Sequence, residues 1–317
     1  MKRRIYILSI SILLGGCASL TKTQIESVNQ FAQTSKNFSV YPSKIITELA
    51  DIRLKRGVYY ANFYCAEPKA YVNELDSAYN EKNRDYKLSA KSDITFKIID
   101  KYAQSLLLLS SDKYTTDLEK QSKNFGTDID SLINVYNKIG GVNKIPSGIG
   151  GLASQLIILG GDAYIKTKQA KEIKKFVPKA DTLISIMTAN LKEFLNGKVY
   201  IKELNNSYSI EDLIKNENDG IKEGYKAYIA SCARLKAIPT IESENEYLQL
   251  KNSLDGTDIL LKQTIKATDD LRTAHKKLLN VIEKKKTLTE NIKELQAYYE
   301  EVKNIKSTIE KIEKPKK

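Results

Sequence analysis

His275 is the one histidine in a chain of 317 residues. It is the only side chain here whose unperturbed titration falls near neutral pH, apart from the chain terminus. Leu271 and Leu278 flank it at helical steps, which places it on an apolar face and predicts a satisfied core histidine. No serine or cysteine motif marks a nucleophile for it to activate. The chain carries 39 carboxylates, and a pair of them is the other route to acid/base work, but no two are singled out by position. Gly126-Thr127-Asp128-Ile129-Asp130 concentrates acid without the twelve-residue calcium pattern. The three cysteines, Cys17, Cys65 and Cys232, show no paired spacing that suits zinc. No metal and no soluble cofactor are expected. Tyr59, Tyr60, Phe63 and Tyr64 cluster beside Cys65. Such rings make a platform for a sugar or, at helical spacing, a packing seam; packing is the expectation.

Residues 145–161 carry no charge, and Lys166, Lys168, Lys171, Lys174 and Lys175 follow them. Gly148, Gly150, Gly151 and Ser154 form one small-residue surface, and Gly160 and Gly161 another. Each glycine costs a helix about 1 kcal/mol relative to alanine, so close approach of a neighbour is the expected gain. The competing reading is a bilayer-inserting segment over residues 145–176, with small-residue contacts as in membrane helices. A dinucleotide-binding loop is excluded because no strand precedes Gly148-Ile149-Gly150-Gly151.

The N-terminus answers where this chemistry would operate. Lys2, Arg3 and Arg4 precede a ten-residue uncharged stretch, Ile5 to Leu14. That is too short to span a bilayer, which takes about 20 residues, and fits the apolar core of a secretion signal. Leu14-Gly15-Gly16-Cys17 follows. Small residues let a peptidase approach the backbone, and the thiol adds a nucleophile. Here the chain resembles bacterial lipoproteins, whose lipobox reads Leu, small, small, Cys. The resemblance covers about the first 20 residues. It implies a diacylglycerol on Cys17, cleavage before it and an acyl chain on the new N-terminus. Two or more chains at one cysteine anchor stably, where a single one binds only marginally. Ala18 stands where an inner-membrane retention signal carries Asp, which favours the outer membrane in a Gram-negative cell. Export removes nucleic acid as a partner. It also places Cys65 and Cys232 in a compartment that permits disulfides. A bridge between them is expected, closing a loop of about 167 residues and contributing roughly 5 kcal/mol in the chain-entropy account. Loss of the signal's three cations lowers the formal net charge from +12 to +9, spread over helical faces as a solvated lysine-rich surface.

The elements that must position these residues are helical. Apolar residues recur at three- and four-residue steps. Residues 17–42 read as the acylated cysteine and a tether with a short helix. A long helix starts at Ser43 with Ile45, Ile46, Leu49, Ile52, Val58 and Tyr59 inward and stops at Ala66-Glu67-Pro68. Residues 69–88 read as a loop or weak helix, with Ser92 capping the next. Further helices are expected from about Thr115 to Ile139, from Pro146 to Phe176, from Val177-Pro178 to Asn196, and from Ile210 to Leu235. The last 75 residues carry two seams, Leu271-His275-Leu278-Ile282 and Leu288-Ile292-Leu295-Tyr299-Val302-Ile305-Ile309-Ile312, close to the 3.5-residue repeat of paired helices. The expected fold is all-α, an elongated antiparallel multi-helix bundle with coiled-coil-like C-terminal helices. Residues 1–16 are the signal and 43–317 the bundle, with a subdivision at 43–239 and 240–317.

The functional expectation is a lipid-anchored, non-catalytic envelope protein with a scaffold or partner-binding role. Its partners are the bilayer, through the acyl anchor, and an envelope protein. The alternatives are a membrane-active helical protein acting through residues 145–176 and an envelope-polymer hydrolase using paired carboxylates.

Overall fold

The computed structural model describes residues 20–41, 43–64, 67–111, 116–138, 144–145, 162–197, 199–201, 206–283 and 288–313. The described residues form helices α1 (Lys22–Phe38), α2 (Ser43–Tyr64), α3 (Pro68–Leu109), α4 (Thr116–Lys138), α5 (Asp162–Asn196), α6 (Ile210–Leu235), α7 (Ile241–Ile282) and α8 (Leu288–Glu313). The fold is all-α, a helical bundle. One small departure, strands β1 (Val199–Ile201) and β2 (Asn206–Tyr208), makes an antiparallel ribbon with Val199 opposite Tyr208.

Local chemistry sets the helix starts. Thr21 and Gln24 exchange side-chain hydrogen bonds with each other's backbone N–H at 3.3 and 2.8 Å, a reciprocal cap on α1. Ser209 and Asp212 do the same for α6 at 2.9 and 3.1 Å. Glu211 and Asp212 then face the positive end of that helix dipole. Pro68 occupies the first position of α3, where its missing N–H costs nothing.

Two points left by the sequence are settled within helices. The polar run 69–88 belongs to α3, one helix of 42 residues. It is held from the side: Ala78 and Asp85 are buried, and Gly57 of α2 lies so close to Ala78 that no Cβ fits between them. Ser92 is therefore mid-helix and buried, not a cap. Likewise α5 passes through Pro178 instead of restarting there. Burial of Ile173, Phe176, Val177, Ala180, Leu183 and Ile184, each worth about 1–3 kcal/mol for the larger side chains, outweighs a proline cost of about 3 kcal/mol.

The chain divides into two compact units, and the divisions fall inside helices. Unit 1 takes α1 up to Lys36, α3 from Lys97, α4, α5 up to Ile186, α7 from Leu271 and α8 up to Tyr299. Phe31, Ile98, Tyr102, Leu106, Phe176 and Tyr298 are among its buried side chains. Unit 2 takes the remainder of those helices with α2, the ribbon and α6. Phe38, Ile45, Leu49, Ile52 and Leu261 are buried within it. Each unit draws on residues before and after 240, so neither matches the subdivision 43–239 and 240–317. The stretch expected as a tether contains α1, and Val28, Phe31, Ala32 and Phe38 of that helix are core residues.

Helix directions follow from residue pairs. Arg53 meets Asp85 and Gly57 meets Ala78, so α2 and α3 run antiparallel. Asn218 with Lys251 and Tyr225 with Tyr247 make α6 and α7 antiparallel, and Gly256 with Ile312 and Lys266 with Glu301 do so for α7 and α8. The pair α2 and α6 is different: Arg53 meets Glu217, Arg56 lies on Gly220, and Tyr59 and Tyr60 lie on Gly224. These numbers rise together, so the two helices are parallel. In the α8 seam, Leu295, Val302, Ile305 and Ile309 are buried as expected, but Tyr299 is exposed and Tyr298 is the buried ring.

Candidate functional site

Unit 1 brings His275 into a chain of polar contacts that no sequence spacing suggested. Its Nε2 lies 2.8 Å from Tyr102 Oη on α3, and its Nδ1 lies 3.1 Å from Asp181 Oδ1 on α5. Arg272, one turn before His275 on α7, donates to the same carboxylate oxygen at 2.7 Å and to the Asp181 backbone carbonyl at 3.2 Å. Phe31 and Phe176 close the apolar walls: Phe31 meets the imidazole edge-on at 5.7 Å between centroids, and Phe176 lies 5.4 Å from the Tyr102 ring.

The electrostatics of this array follow from burial. Hydrogen bonding from His275 and the charge of Arg272 hold the Asp181 carboxyl down at about 2, against the opposing effect of its partial burial. Burial pushes the His275 imidazole below its ordinary value, more than Asp181 raises it. Burial, helped by the Asp181 charge, lifts the Tyr102 phenol well above its ordinary value. At neutral pH the array is therefore carboxylate, neutral imidazole and phenol. The carboxylate can only accept, so Nδ1 carries the proton. Nε2 is then an acceptor, and the Tyr102 O–H donates to it.

An acid orienting an imidazole that faces a hydroxyl is the arrangement of a proton relay. Here the imidazole and Tyr102 have no solvent exposure. No substrate reaches Nε2 or the phenol oxygen without displacing the core. What the array does in the folded chain is tie α3, α5 and α7 together through fully satisfied polar groups, which specify one packing where apolar contacts alone would tolerate several. The apolar step of His275 between Leu271 and Leu278 announced this role; its partners are 94 and 173 residues away in sequence.

Unit 2 holds a second polar centre that sequence reasoning missed. Arg53 of α2 is buried and donates through Nε to Glu217 Oε1 of α6 and through Nη1 to Asp85 Oδ2 of α3, both at 2.7 Å. Arg56, a turn's breadth along α2, donates to Glu217 Oε2 at 2.6 Å. Glu81 lies 3.6 Å from Arg53 and 3.8 Å from Arg56. Burial opposes the Arg53 charge, but Glu217 and Asp85 outweigh it and hold the guanidinium protonated above its ordinary range. The signal was present in sequence as Arg53 set directly after Leu49 and Ile52 on an apolar face.

Nearby on α6 and α7, Tyr225 stacks on Tyr247 at 4.2 Å with a 24° interplanar angle. Tyr228 Oη accepts a hydrogen bond from the Thr240 N–H at 2.6 Å. The expected aromatic cluster is thus joined by tyrosines of α6 and α7: Gly224 leaves room for Tyr59 and Tyr60, whose ring atoms lie 3.3–3.5 Å from where its Cβ would stand. Tyr59 is buried as expected of a seam residue.

Cys232 is a buried free thiol, which corrects the expected bridge; Cys65 lies outside the described residues. Cys232 is packed on the inward face of α6 with Ile221, Gly224 and Tyr228. The lipobox residues Leu14, Gly15, Gly16 and Cys17 lie outside the described residues, as do Gly148, Gly150, Gly151, Ser154, Gly160 and Gly161. Among the described residues no helix is long and apolar enough to cross a membrane, and no group of three or more metal-ligating side chains converges.

Comparison with family models, with curated proteins and with solved structures finds no match to this chain.

Proposed function

We propose that this protein is a lipid-anchored component of the bacterial cell envelope, held to a bilayer by acyl chains on Cys17, with a helical body that scaffolds or binds another envelope component. The observation that carries the reading is Leu14-Gly15-Gly16-Cys17 placed directly after a basic start and a ten-residue apolar stretch. The helical body supports a binding role over a chemical one. Its buried titratable groups are turned on partners within the fold: His275 on the half-buried Asp181, and Arg53 on Glu217 and Asp85. A carboxyl held at about 2 stays ionised and is a poor proton donor at neutral pH. Such a body offers long helical faces.

Metabolic labelling with a clickable fatty acid tests the anchor. The native chain is expected to take up label, and the Cys17→Ser chain is expected to lose it and keep its signal segment. Equal labelling of the two chains overturns the reading.

A further inference from the structure

The connection between α6 and α7 presents apolar side chains to solvent while its own backbone is firmly tied. Ile238 is 88% exposed, Ile241 73% and Leu235 69%, and Leu248 a further two turns along α7 is also exposed. Lys236 N–H donates to Ala233 O at 3.2 Å and Ala237 N–H to Cys232 O at 2.9 Å, closing the end of α6. Thr240 N–H is held by Tyr228 Oη at 2.6 Å, and Thr240 Oγ1 accepts from Ser243 N–H at 3.3 Å, opening α7. Pro239 fixes its own φ and restricts Ile238 to extended backbone. Lys236 is the single residue other than glycine with positive φ among the described residues, at 55°. That conformation suits glycine, and lysine there keeps a cation at the tip at a cost in backbone energy. A loop ordered in this way loses little entropy when its side chains are covered.

The charges around this surface say what covers it. From Gly224 to Ile241 there is no carboxylate, and Arg234 and Lys236 flank Leu235. From Ala237 to Leu250 there is no cation, and Glu242, Glu244 and Glu246 follow Ile241. All five of these charged side chains are exposed. An anionic bilayer would be attracted by one half and repelled by the other. A partner of one charge sign would meet the same conflict. A second copy related by a twofold axis near Ile238 meets none: the cations of each face the carboxylates of the other across an apolar centre. A twofold contact is self-complementary in this sense. Leu235, Ile238, Ile241 and Leu248 form the apolar centre of this surface, with the five charged side chains around it.

We infer that the α6–α7 turn is the surface through which two copies of this chain associate. The inference rests on the partner-binding reading above and specifies its face, but not on the anchor, because the surface contains no part of residues 1–20. Sedimentation equilibrium of the full chain in density-matched detergent tests it. The native chain and the Cys17→Ser chain are both expected to sediment at twice the protein mass at tens of micromolar, and Ile238→Asp at the single-chain mass. Arg234→Glu with Lys236→Glu weakens association by about tenfold or more, because like charges then face each other. Adding Glu242→Lys and Glu244→Lys to that chain restores it. Single-chain mass for both native and Cys17→Ser chains, retention of the dimer by Ile238→Asp, or no rescue by the four-fold charge exchange overturns the inference. So does flotation of the Cys17→Ser chain with phosphatidylglycerol vesicles that is lost in Ile238→Asp, which would make a bilayer the occupant. A native chain that pairs only when acylated also overturns it, whereas failure of fatty-acid labelling leaves the dimer intact and removes only the anchor.

Discussion

A proton added to His275 has to enter a site that is already complete. Nδ1–H points at Asp181 and Nε2 accepts from Tyr102, so protonating Nε2 forces the phenol to turn and find another acceptor inside the core. Burial lowers the imidazole below its unfolded value near 6.5. The folded chain therefore binds fewer protons there than the unfolded chain, and stability is lost as pH falls through that unfolded value. Asp181, lowered to about 2, adds a second loss that sets in only between about 4 and 2. Urea midpoints between pH 7.5 and 5.5 are expected to fall in the native chain and to stay nearly flat in His275→Asn. The variant should itself be about 1–3 kcal/mol less stable at pH 7.5, since Tyr102 loses a buried partner. Gly57 is a second residue-level constraint. Its Cβ would overlap that of Ala78 across α2 and α3, and Gly57→Ala is expected to lower the stability measured in urea by about 1–3 kcal/mol, although alanine normally favours a helix. At this scale the sequence was half readable. Leu271 and Leu278 announced a core histidine, but nothing local points from α7 to Asp181, Tyr102 or Ala78.

At the scale of elements, a guanidinium on α2 joins that helix to α3 and α6. Replacing one member of a buried ionic cluster leaves its partners charged and uncompensated, which costs about 3–5 kcal/mol. Arg53→Met should show that loss in chemical denaturation. Arg53→Met combined with Asp85→Leu and Glu217→Leu should recover most of it, because the stranded carboxylates go with the cation. A triple variant no more stable than Arg53→Met would mean that the cluster does something other than balance charge. The same cluster explains why residues 69–88 read as a loop or a weak helix. Residues 69–88 are too polar to announce a helix, because the surface they bury is ionic and small, Asp85 on Arg53 and Ala78 on Gly57. Where burial is apolar, as in α6 with its serine cap and its inward Ile214, Ile221 and Tyr228, the bounds could be placed from the residues alone. Pro178 shows the converse: a strong local stop is overridden when both of its flanks are core.

For the whole molecule the relevant balance is 51 cations against 39 anions. An excess of cations attracts anionic lipid by charge alone, and salt separates that attraction from an anchor. At 1 M salt the screening length is about 3 Å, short enough to release a protein held by charge. Membranes washed at that strength are expected to retain the native chain; its release would leave surface charge as the only attachment. The all-α class was legible from periodicity along the whole chain, because every helix needs its own buried stripe. The two units were not, since they are cut through helices and no linker marks them. The composition also holds 19 tyrosines and no tryptophan. Near-ultraviolet light is therefore absorbed almost wholly by phenols, and the stacked rings of Tyr225 and Tyr247 are close enough to couple their transitions. That pair gives the α6–α7 junction its own optical signature, and the circular dichroism of those phenols should disappear when the two helices part, with no label attached.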